Sequence, residues 1–153
     1  MRRLVSRGLT ILALGLLLAA PATAAKYGQK DLIGTWDGDV MAMMKASGMM
    51  EQMPEGFDMS AMLASFSIRL TFDKDGTVNF YQKGMGTETT DKGRFEVAEV
   101  EGNVVTVHSL EEDGTKKTVT ITFSDKDHFT MMVDEDGAMP MAFSRGKKAE
   151  KAE

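Results

Sequence analysis

From residue 67 to residue 145 apolar and polar residues alternate with a period of two, and turn residues break the alternation at short intervals. Ile68, Leu70 and Phe72 share one face, and Val78 with Phe80 resumes the pattern after Asp73-Lys74-Asp75-Gly76. Phe95 with Val97, Val105 with Val107, and Val119 with Ile121 and Phe123 carry it on, as do Phe129 with Met131 and Val133, then Met139 with Met141 and Phe143. A period of two places alternate side chains on opposite faces, which predicts strands with one buried face. Asp-Gly and Gly-Asn pairs between such runs are hairpin signals. No connection is long enough for a crossover helix, so the strands should be antiparallel neighbours in sequence order. One further strand is expected over residues 32–40. Eight half-apolar strands in one meander must bury that face, and a mainly β, antiparallel up-and-down barrel of eight or more strands does so while removing its edges.

Between the first two strands the period changes. Residues 41–62 hold eight methionines in 22 positions, and Pro54-Glu55-Gly56 divides the stretch into two expected short helices. In the second, Met59, Met62, Leu63 and Phe66 fall at i, i+3, i+4 and i+7, one apolar stripe suited to packing on the barrel. In the first, Met43, Met50 and Met53 cluster at 100° per residue, while Met41, Met44 and Met49 point elsewhere. Gly48 weakens that helix by about 1 kcal/mol relative to alanine. The segment carries more apolar surface than one packing face uses. It is read as a methionine-rich helical lid over residues 41–66.

The N-terminus contributes a leader rather than fold. Arg2, Arg3 and Arg7 precede an apolar run over residues 9–20, followed by Pro21 and Ala22-Thr23-Ala24. This is the layout of a secretory signal peptide, expected to span residues 1–25. The apolar run is shorter than the ~20 residues that span a bilayer, so no membrane span is expected after cleavage. A periplasmic or secreted bacterial location follows as the expectation. Residues 26–145 would then form the barrel domain and residues 146–153 a polar flexible tail. Removing the leader leaves 15 basic against 23 acidic residues, a net charge of −8, which argues against nucleic acid as a partner. There is no cysteine, so neither disulfides nor thiol chemistry contribute.

Gly34-Thr35-Trp36 resembles the Gly-x-Trp that opens the first strand of the calycin superfamily, the lipocalins and fatty-acid-binding proteins. The helical stretch after that strand is similar to the lid of the fatty-acid-binding proteins. Phe143-Ser144-Arg145 resembles the late basic residue that packs across the tryptophan and closes the barrel base. The resemblance spans nearly the whole mature chain as a layout, with the tripeptide as its residue-level motif. It implies that Trp36 and Arg145 form a cation–π pair at one barrel end, and that an apolar small molecule or lipid occupies the interior. The Arg-x-Tyr pair that holds a fatty-acid carboxylate is not present, because Gly146 and Lys147 follow Arg145.

The ligand-binding residues expected on this reading are Met43, Met50, Met53, Met59, Met62, Phe66, Phe80, Phe95 and Phe129. Methionine re-packs around variable apolar partners, which suits such a lid. An alternative is a Cu(I) or Ag(I) site, since thioethers are soft ligands, and Met41-x-x-Met44 with Met50-x-x-Met53 would supply them. A second alternative is a filled barrel acting as a structural or protein-interaction module. No cofactor and no catalysis are expected. No Ser/His/Asp set, His-x-x-x-His or phosphate-binding glycine loop occurs, and His108 falls on the polar face of its strand. Asp73, Asp75, Asp91 and the acidic groups at 111–113 and 134–136 are read as turn residues.

Overall fold

The computed structural model describes residues 24–84 and 86–146; the expected leader and tail lie almost wholly outside this span. Eight strands close into a barrel in sequence order: β1 (Gly34–Gly38), β2 (Ser67–Phe72), β3 (Thr77–Gly84), β4 (Thr87–Glu101), β5 (Val104–Glu111), β6 (Lys116–Asp125), β7 (His128–Val133) and β8 (Met141–Arg145). Every pairing is antiparallel, and β8 returns to β1 with Trp36 opposite Arg145. The inward positions are those of the apolar phase, while the outer face carries Thr35, Asp37, Arg69, Lys92, Glu96 and His108. Among the described residues no helix is long and apolar enough to cross a membrane.

Local chemistry sets the turns. In two hairpins, Gly76 and Gly114 donate their N–H to the carbonyls of Asp73 and Glu111. Their positive φ angles, 84° and 87°, are those glycine adopts without strain. Asp75 and Asp113 accept the N–H groups of Thr77 and Thr115 two residues on, the Asx turn that makes aspartate a turn former.

Several elements differ from the sequence expectation. The first strand is shorter than residues 32–40, because Leu32 ends a helical turn, α1 (Gln29–Leu32). Met139 lies before β8 and is exposed, so it does not share the inward phase of Met141 and Phe143. Asp91 stands within β4 rather than in a turn. β4 begins six residues earlier than its apolar pattern, because residues 87–92 are polar on both faces yet pair with β3. A bulge between Val97 and Glu99 then shifts its phase, placing Val100 opposite Val105.

The inserted segment folds as three pieces rather than two: α2 (Val40–Ala46), a 3-10 turn (Met49–Gln52) and α3 (Met59–Ser65). Asp39 and Asp58 cap the two α-helices by accepting from Ala42 and Ala61. Gly48, at φ 68°, separates α2 from the turn, so a single helical wheel through Met43, Met50 and Met53 does not describe it.

Candidate functional site

The barrel interior has two halves. At the base, where β1 begins and β8 ends, aromatic rings fill it. Trp36 is 0% exposed and its ring lies 4.5 Å from that of Phe129 and 6.1 Å from that of Phe123. Phe143 packs on Phe129 at 5.3 Å, and Tyr27 stacks on Phe123 at 4.5 Å. Such pairs contribute about 0.5–1.5 kcal/mol each beyond their area burial. The chain ahead of β1 plugs this end: Leu32 is fully buried, its carbonyl accepts the Trp36 Nε1–H at 2.8 Å, and Lys26 N–H bonds Gly102.

Arg145 locks the plug. Its guanidinium carbon stands 4.2 Å from the Trp36 ring centroid. Nη2 donates to the carbonyls of Asp31 and Lys126, Nη1 to that of Ile33, and Nε to the Asp127 carboxylate. The glycine of Gly34-Thr35-Trp36 has a physical reason here. A Cβ on Gly34 would lie 3.2 Å from Arg145 Nη1, and its φ of 131° is one that other residues avoid.

The upper half is open. A cavity of about 620 Å³ is floored by Leu70, Phe72, Phe95, Val107, Ile121 and Met131, with Val78, Phe80, Val119, Val133 and Met141 around its wall. Its mouth is polar, with Asp91, Lys92, Glu111, Glu112, Asp113 and Lys117 beside Thr90 and Ser109. Lys117 is gripped at 2.9 Å by Glu111 and at 3.3 Å by Glu135. These two hydrogen bonds, Glu111 first, raise the Lys117 pKa and keep it an ammonium.

Of the residues expected to bind ligand, Phe80 and Phe95 line this cavity, and Phe129 belongs to the solid base. Met43, Met50, Met53, Met59, Met62 and Phe66 are half-buried but are not among the lining residues. The segment that carries them starts from the end of β1 and returns into β2, at the same end as the cavity mouth. Met43 packs beside Ile68, where a Cβ on Gly38 would meet the Met43 methyl at 3.2 Å. Phe66 lies so close on Gly84 that a Cβ there would approach its ring to 2.5 Å. Met44 is the buried member of α2 at 7% exposure, whereas Met41 and Met49 are 40% and 51% exposed. Met44 therefore packs, contrary to its expected position among the surplus methionines, and the Met41/Met44 pair is split between surface and interior.

The mouth residues Asp91, Glu111 and Lys117 escaped the sequence reading as site residues. Their signal was phase: Asp91 continues the face of Gly93 and Phe95, Glu111 that of Val107 and Ser109, and Lys117 that of Val119 and Ile121. His108 lies on the outer face near Thr118, 3.4 Å from its hydroxyl.

No protein-family model matches the chain, and no curated protein matches it in sequence. Among solved structures, the crystal structure of Treponema pallidum Tp0751 (pallilysin) matches with a TM-score of 0.52 at 11% identity, over 80% of this chain and 84% of that one. At that identity the likeness is one of fold. The chain is thus a closed, eight-stranded antiparallel barrel similar in fold to Treponema pallidum pallilysin.

Proposed function

We propose that the protein is an exported, non-catalytic binding protein of lipocalin-like, calycin type that holds an apolar small molecule or lipid in the upper half of its barrel. The observation that carries this reading is the cavity: about 620 Å³, apolar in its floor and polar only at its mouth. Small-molecule sites measure roughly 300–1,000 Å³ and are mostly apolar with a few polar groups that orient the ligand. A barrel filled throughout by side chains would favour a structural module instead. The tryptophan–arginine base supports the calycin assignment, and the basic, apolar, small-residue N-terminus supports export. The methionine segment is an adjustable cap at the mouth end, where half-buried thioethers can re-pack around a guest.

The test is a titration of the mature protein with the neutral dye Nile red. Saturable uptake of one dye per chain, displaced by 1-dodecanol, is expected. Ser109→Phe puts a ring into the mouth and should weaken uptake at least tenfold while the far-ultraviolet circular dichroism stays that of the wild type. Wild-type protein that takes up no dye would overturn the reading.

A further inference from the structure

We infer that the cavity selects a cationic amphiphile, an alkyl amine or quaternary ammonium, over a fatty-acid anion; the inference rests on the binding reading above. Four carboxylates and two ammonium groups border the mouth, and their positions matter more than their number. Asp91 shares the inward face of Gly93 and Phe95 and pairs directly with Phe80, itself a wall residue. Directly opposed residues present their side chains on one face, so Asp91 stands on the cavity side, while its neighbour Lys92 borders the mouth from the opposite face of β4. Among the described residues Asp91 forms no ion pair and no side-chain hydrogen bond.

The inward-facing cation is engaged. Lys117 is held by Glu111 at 2.9 Å and Glu135 at 3.3 Å, two carboxylates for one ammonium. Arg145, which could have served a carboxylate from β8, is committed to the base by the Trp36 ring and its carbonyl partners. On the cavity side an anionic head group can pair with Lys117 only by displacing a carboxylate, and it must pass Asp91; the other ammonium at the mouth, Lys92, rises from the opposite face of β4. A cationic head group meets Asp91 without disturbing the Lys117 bridges. Low-dielectric walls below the rim focus this field on the opening.

Three guests of one chain length separate head-group charge from chain burial: dodecyltrimethylammonium, dodecanoate and 1-dodecanol, each competing with Nile red below its micelle concentration. The cation should bind up to about fivefold tighter than the anion, the ratio an ion pair at an exposed site gives at most, and the advantage should shrink as salt is added. Asp91→Asn should bring the ratio to within twofold of one. Glu96→Gln, which removes the same charge from the outer face of the same strand, should retain the preference. Displacement by dodecanol with no preference for the cation, or a preference that survives Asp91→Asn, overturns the inference and leaves the cavity reading standing. No uptake of dye and no displacement by any of the three overturns both.

Discussion

At the residue scale the molecule turns on Arg145. One guanidinium covers the face of Trp36 and supplies its fork of donors to three carbonyls and a carboxylate. Lysine offers a point charge without that geometry. Arg145→Ala should cost about 3 kcal/mol, adding a cation–π contact to several hydrogen bonds whose partners are left unpaired, and Arg145→Lys should fall between it and the wild type. Denaturant unfolding followed by the fluorescence of Trp36 measures both. Three aspartates tie stability to pH. The hydroxyl and N–H of Thr77 lower the Asp75 pKa, Thr115 does the same for Asp113, and the Asp127 N–H, then His128, lower that of Asp125. Because these carboxyls bind protons more readily unfolded, their contribution is present at neutral pH and is lost as pH falls below about 4, toward their folded values. The triple variant Asp75→Asn, Asp113→Asn, Asp125→Asn keeps amides able to form the same turns. Its melting temperature should fall less steeply below pH 4 than that of the wild type.

At the element scale the contrast lies between strands and insert. The strands could be read from the sequence because each buries one face: Val119, Ile121 and Phe123 are buried while Thr120 and Thr122 are exposed. The insert could be read only in part. Gly48 breaks the first helix, and α3 has no fully buried residue, so burial does not sort methionines that look alike in sequence. Helices with few buried contacts open at low free-energy cost. Amide hydrogen exchange should therefore be fast over residues 40–66 and slow in β5–β7 of the same sample. The polar half of β4 had no apolar phase to reveal it. Only pairing with β3 makes it a strand, and Gly93 marks where β4 comes against β5. A Cβ there would stand 2.7 Å from the Leu110 carbonyl oxygen, which belongs to backbone and cannot rotate away. Gly93→Ala should cost roughly 2 kcal/mol through that clash and weaken dye uptake by parting the mouth strands. Gly28→Ala, whose Cβ meets nothing within 4 Å, should leave both unchanged.

At the scale of the whole molecule, one barrel is built differently at its two ends. Bulky aromatic residues supplied by the chain before β1 and by β1, β6, β7 and β8 make the base solid, and smaller or recessed side chains at Val107, Ser109, Val119 and Gly93 leave space above it. The closed meander was legible because β2 to β8 each carry an apolar phase over at least part of their length and the connections between them are short. The division into a filled base and an open top was not, since Phe95 and Phe129 occupy equivalent inward positions in their strands and differ only in height along the barrel. That height is set by register, a property of pairing across strands rather than of any one stretch of sequence. The central claim is that the guest enters the open half and the base stays closed. Methyl-resolved nuclear magnetic resonance of the mature protein titrated with 1-dodecanol tests it most directly. The methyl signals of Val107, Val119, Met131 and Met141 should shift together and saturate at one guest per chain, with Val105, outside the cavity lining, unmoved. Shifts confined to the methionines of residues 41–62, or none at all, would contradict it.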